Sequence, residues 1–156
     1  EPNIQQESVW DYPRPPRIEC SVKLVRVASS AGLIAETLSA LRVIETASPP
    51  VYYLPHSSID RTFLRKIEHS SWCEWKGSAS YLVYTGGEIE VIAGWFYEDP
   101  SDGFELLKGY VSFYPGVLNC FLDKELVQAQ PGKFYGGWVT KDILGPMKGG
   151  PGTSHW

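Results

Sequence analysis

The stretch "SASYLVYTGGEIEVIAGWFYEDP", Ser78 to Pro100, decides the fold class. Two apolar, aromatic runs flank Gly86-Gly87, and Pro100 ends the second. β-branched and aromatic side chains suit a pleated, half-buried surface, and paired glycines supply positive φ in a tight turn. The reading is an antiparallel hairpin. The same pattern extends outward on both sides. Before it, "SVKLVRVA" (21–28) alternates apolar and polar residues, and "GLIAET" (32–37) and "ALRVIET" (40–46) follow across short polar breaks. They predict strands joined by hairpins, with Gly32 in the first turn; "LSALRVIET" (38–46) also fits a short helix, because Leu38, Leu41 and Val43 do not alternate cleanly, and strand is the reading preferred. After it, "YVSFYPGVLNCFLDKELVQ" (110–128) predicts a strand pair around Pro115-Gly116 and a turn near Asp123-Lys124.

Between these runs the signals change. Pro49, Pro50 and Pro55 confine Val51 to Leu54 to a short edge strand, because proline donates nothing to a ladder. "SSIDRTFLRKI" (57–67) has Ser57 or Ser58 as an N-cap, Asp60 in the first turn, and Arg65 and Lys66 near the end. That charge order suits the macrodipole of a one- or two-turn helix. "SDGFELLKGY" (101–110) predicts a second short helix, capped by Ser101 and stopped at Gly109, and a further short one fits Thr140 to Leu144. The ends differ again. Residues 1–17 carry Pro13, Pro15 and Pro16, and residues 131–156 are rich in glycine and proline. Both read as extended arms around a β-rich core at 18–130, with the last eight residues expected to fray. The whole predicts a mainly β domain: a small bent antiparallel sheet or incomplete, tent-like barrel, one or two short helices and two terminal arms.

Totals limit the function classes. At 156 residues the chain is long enough to bury a core without disulfides or metals. The net charge is -4 with no basic patch, which argues against nucleic acid as a partner. No apolar run reaches the roughly 20 residues that span a bilayer, so no membrane is expected. No charged-then-apolar leader precedes the fold, so the expected compartment is the cytoplasm. Cys20, Cys73 and Cys120 make an odd number without a C-x-x-C pair, so neither a disulfide framework nor a thiolate zinc site is expected. A mixed site from His56, His69 and Cys73 is the one metal alternative. No cofactor-binding loop of the G-x-G-x-x-G or Walker type occurs.

The candidate site centres on "CEWKG", Cys73 to Gly77. Lys76 sits among Trp72, Trp75 and Tyr81, which would lower its solvation and suit an amine base or nucleophile. The bland alternative is a salt bridge to Glu45 or Glu74. Cys73 is either a nucleophile helped by Lys76 or a structural thiol. Glu45 ends a strand and is the carboxylate partner for Lys76. His56 follows Pro55 in a loop and is a general-base candidate. With 13% aromatic residues, some rings are core and others line a concave wall, Tyr53 and Trp95 first among them.

Six phrases carry a resemblance when taken in order: "ESVWDYPRPPR", "PPVYYLP", "CEWKGSASY", "GWFYEDP", "VSFYPG" and "FYGGWVT". Together, from Glu7 to about Lys148, they resemble the bacterial and fungal family called domain of unknown function 427. The resemblance implies a single-unit form of a small β-rich domain and implies no known reaction. Two functions stay open. One is a small-molecule-binding domain, an enzyme of metabolism included, with a pocket of Lys76, Glu45, Cys73, Tyr53, Trp75, Tyr81, Trp95 and His56. The other is a non-catalytic module whose arms make a homodimer.

Overall fold

The computed structural model describes residues 6–131, 135–149, 152–153 and 156, and the backbone alone of His69. Fifteen strands are present among them: β1 (Glu7–Ser8), β2 (Arg17–Cys20), β3 (Val25–Ser29), β4 (Gly32–Thr37), β5 (Leu41–Glu45), β6 (Ser48–Pro55), β7 (Leu64–Cys73) and β8 (Gly77–Tyr84) lead the chain. β9 (Val91–Phe96), β10 (Tyr110–Phe113), β11 (Asn119–Leu122), β12 (Glu125–Leu126), β13 (Gln128–Ala129), β14 (Trp138–Val139) and β15 (Ile143–Leu144) complete it. Seven strands form the main sheet in the order β2-β5-β6-β10-β9-β8-β7, antiparallel throughout. Four more form a second sheet, β12-β11-β3-β4. Neither closes into a barrel, so the architecture is mainly β with several antiparallel sheets.

Strand alternation gives the main sheet two apolar faces. Tyr52, Leu54, Leu82, Tyr84, Ala93, Val111 and Phe113 share one core with Val25, Val27, Ile34, Cys120 and Leu122 of the smaller sheet. Trp138 is fully buried in this core, and its indole N–H donates to the Phe113 carbonyl at 3.0 Å. Burial of one such large side chain is worth about 1.5–3 kcal/mol. The adjacent residues turn the other way: Val43, Tyr53, Ala79, Trp95 and Tyr97 form a second cluster with Phe104 and Leu107. That second face carries the site described below.

The hairpin of β8 and β9 forms as the sequence predicts, pairing Tyr81 with Trp95 and Leu82 with Gly94. Its connection is longer than a two-residue turn, and neither Gly86 nor Gly87 takes a positive φ. Gly86 is needed for space instead: a side chain there would meet the ring and hydroxyl of Tyr84. The β6 segment is an inner strand, paired to β5 at Ser48 and from Val51 to Tyr53 and to β10 at Leu54 and Pro55. The prolines are accommodated because Pro49 and Pro50 lie where β10 does not reach, and the next amide, His56 N–H, donates to Gly109 at 2.8 Å.

No predicted helix forms as an α-helix; the helical elements are lone 3-10 turns. At 57–67 only His56–Ser58 is helical, and Leu64, Arg65 and Lys66 belong to β7. The reason lies in the two caps. Ser58 donates its hydroxyl to the Pro55 carbonyl at 2.7 Å, and Asp60 accepts from the Thr62 amide and hydroxyl. Those local bonds make turns rather than a helix start. The 101–110 segment shrinks to a 3-10 turn at Glu105–Leu107, ended by Gly109 at φ 83°. Thr140 to Leu144 is a turn, closed by a Thr140–Asp142 hydrogen bond, that leads into β15.

The described parts of both arms lie on their own chain. β1 pairs in parallel with β15. Val9, Tyr12, Ile44 and Ile143 form a third small cluster. Arg42 bonds both carboxylate oxygens of Glu7 and also Glu19, and the Tyr12 hydroxyl donates to Glu7 at 2.7 Å. Of the last eight residues, those described are Gly149, Gly152, Thr153 and Trp156. Trp156 is not frayed: its ring stands edge-on to Trp10 at 5.2 Å. Among the described residues no helix is long and apolar enough to cross a membrane.

Candidate functional site

The "CEWKG" stretch is the β7–β8 hairpin end. Cys73 pairs with Gly77 across a three-residue loop of Glu74, Trp75 and Lys76. Gly77 takes φ 106°, the positive value that three-residue hairpins place after the turn. The turn is tied to the next loop, where the Ser101 amide donates to the Lys76 carbonyl at 2.9 Å. The effect is to carry Trp75 and Lys76 over the second face of the main sheet.

There they border a hollow of about 330 Å³. Of the residues singled out from sequence, Lys76, Glu45, Cys73, Tyr53, Trp75, Tyr81 and Trp95 all line it. His56 does not. It is exposed in its 3-10 turn and stands apart from the hollow, because Pro55 and the pairing with β10 hold that end of β6 elsewhere. The side chain of His69 lies outside the described residues, as does Phe134. No group of three or more His, Cys, Asp or Glu side chains is gathered for a metal among the described residues.

The floor is aromatic and fixed. Tyr53 is 1% exposed and accepts a hydrogen bond from the Trp95 indole at 3.2 Å. Their rings meet edge to face at 6.2 Å, and Trp95 packs on Tyr114 at 4.6 Å. Tyr81 shares a 2.6 Å hydroxyl bond with Ser71. Burial pushes the phenol of Tyr97 well above the usual tyrosine range; Tyr53 adds to this and the Lys76 ammonium opposes it. Burial likewise raises Tyr53, against hydrogen bonds from Trp95 and Tyr97, and raises Tyr114 with help from Tyr81. These phenols therefore keep their protons at neutral pH and put no negative charge on the hollow.

Lys76 is half-buried, and its ammonium makes no hydrogen bond or ion pair among the described residues. The expected pair with Glu45 does not form. Glu45 faces Arg14 of the N-terminal arm instead, at 3.8 Å. Cys73 is a free, half-buried thiol in the lining, while Cys120 is buried in the first core, where burial raises its thiol far above the ordinary range.

Sequence reasoning missed the far wall. Tyr135, Gly136, Gly137, Gln130 and Lys148 also line the hollow. The Gly136 backbone lies so close to Trp95 and Tyr114 that a methyl group would overlap the Trp95 ring. Gly137 donates its N–H to the Gln130 side chain at 3.0 Å, and Gln130 in turn donates to the Lys148 carbonyl at 2.6 Å. The signal was the consecutive glycines between Tyr135 and Trp138: glycine where a backbone approaches a ring closely.

A protein-family model described as Domain of unknown function (DUF427) matches residues 17–127, more than two thirds of the chain. No curated protein matches. The matched region supplies the floor and the Lys76 turn; Gln130, Tyr135 to Gly137 and Lys148 lie beyond it.

Proposed function

Because the chain belongs to the Domain of unknown function (DUF427) family, whose description names no reaction, we propose its function from the site itself. It is a small-molecule-binding domain. Lys76 orients or polarises an acidic or carbonyl ligand held against Tyr53, Trp75, Tyr81 and Trp95. One observation carries this reading: Lys76, a half-buried residue whose ammonium has no ion-pair partner among the described residues, borders a hollow walled in part by rings. Concave, largely apolar sites with a few placed polar groups are where small ligands bind, and this volume is at the small end of their range. Glu45 is turned to Arg14, so a ligand oxygen is left to meet the Lys76 charge. Neutral phenols nearby add no competing negative charge. If the ligand carries a carbonyl, the same ammonium polarises it, which is the first requirement for chemistry at that carbon.

The test is a thermal-shift screen of the full chain with planar aromatic acids and aldehydes, repeated on Lys76→Ala. A ligand at about 100 times its Kd adds about 2.7 kcal/mol, or roughly 5–10 °C in a chain of this size. Hits that stabilise the native protein and are lost in a folded Lys76→Ala support the proposal. Hits that shift both proteins equally refute it.

A further inference from the structure

The hollow holds a second cation, Lys148, which the family match does not reach. Its ammonium lies 5.0 Å from the centre of the Tyr135 ring and makes no ion pair among the described residues. Its backbone is fixed on both sides. The Lys148 N–H donates to Ala47 at 2.7 Å, and its carbonyl accepts from Gln130, which is 4% exposed and also holds Gly137. One buried amide therefore sets both the glycine wall over Trp95 and the position of the second lysine. The lining thus presents two unpaired ammonium groups beside one carboxylate already turned to Arg14 and another, Glu74, that is exposed. Of the other eighteen lining residues, eight are aromatic.

We propose that Lys148 is a second ligand-binding residue, and that the ligand is a planar aromatic acid whose ring lies on the aromatic wall while Lys76 and Lys148 share its negative charge. This rests on the reading of the hollow as a ligand site and goes further by naming the chemical class. Ammonium–carboxylate hydrogen bonds are about twice as strong as neutral ones, which separates an acid from its neutral amide. A cation over a ring keeps its attraction to the ring face and still meets an anion at its edge.

The experiment uses the full chain and three probes: 2-naphthoate, its neutral isostere 2-naphthamide, and inorganic phosphate. Dissociation constants are measured calorimetrically for the native protein, Lys148→Gln and Lys148→Arg. A charge-assisted contact predicts that native protein binds naphthoate about tenfold or more tightly than naphthamide. In Lys148→Gln that ratio falls severalfold with naphthamide affinity unchanged, and Lys148→Arg restores it. Equal binding of acid and amide by native protein, an unchanged ratio in Lys148→Gln, phosphate binding as tight as naphthoate, or no binding of either naphthyl probe overturns the proposal. The two readings fail separately. If Lys148→Gln keeps the ratio but Lys76→Ala abolishes binding, only the role of Lys148 is lost; if Lys76→Ala binds normally, the function proposed above is lost as well.

Discussion

Replacing Gly77 with alanine tests the turn that aims Lys76. Two costs are separable there. The first is conformational: φ is 106°, a value L residues with a side chain rarely adopt. Strained backbone of this kind costs about 1–3 kcal/mol. The second is crowding: an added methyl carbon would stand 3.1 Å from the Ser101 hydroxyl and 3.4 Å from its amide nitrogen. Gly103 provides the control, with φ 91° and nothing within 4 Å of the same methyl. Gly103→Ala should therefore show the conformational cost alone, about 1–2 kcal/mol, and Gly77→Ala about 2–3 kcal/mol. For a chain of this length roughly 2–4 °C of Tm accompanies each kcal/mol, so Gly77→Ala should lose about 4–12 °C. Thermal unfolding by circular dichroism measures both. The reasoning is refuted if Gly77→Ala melts within 1 °C of native protein, or if Gly103→Ala is the more damaged of the two.

Tyr53→Phe removes the acceptor of the Trp95 indole N–H in a buried setting, so stability should fall by about 1–3 kcal/mol in urea unfolding. A neutral result means that bond is not made. Gly136→Ala should push the glycine wall off Trp95, costing about 1–3 kcal/mol and weakening naphthoate binding, checked by the same calorimetry. The acid limb of stability should involve Glu7. The Arg42 hydrogen bond holds this carboxyl below the ordinary range, against burial. A depressed folded value means its contribution is whole above the unfolded value near 4.3 and disappears as pH falls through the folded one. The stability gap between native protein and Glu7→Gln should therefore be about 0.5–1 kcal/mol at pH 7, after solvent screening, and narrow progressively as pH falls below that unfolded value. A gap independent of pH contradicts this.

Strand content was legible because alternation is local, as at Val25, Arg26 and Val27 of β3, but bounds and phase were not: the expected strand ran from Ser21 with Val22 and Leu24 as apolar positions, and Val22 is 88% exposed. Partnering was not. Nothing in "SPPVYYLP" reveals that β10 pairs only with its last residues, leaving room for prolines in an inner strand. The helix at 57–67 failed because serine and aspartate serve turns as well as caps, and the ladder with β8 decided between them. The near side of the hollow was readable, since a turn, a lysine and its aromatic neighbours are contiguous at 72–81. The far side was not, because Gln130 and Lys148 reach it through hydrogen bonds between segments 18 residues apart. His56 was misplaced for the opposite reason: proximity in sequence to β6 does not carry it to the second face.

The most direct measurement is trace acetylation of lysines in the full chain, read residue by residue by mass spectrometry with and without 2-naphthoate. Lys141, which is exposed, serves as the internal reference. The account predicts that Lys76 reacts severalfold more slowly than Lys141 and slows again when the acid is present. Lys76 reacting as fast as Lys141, with no protection by the acid, would contradict it.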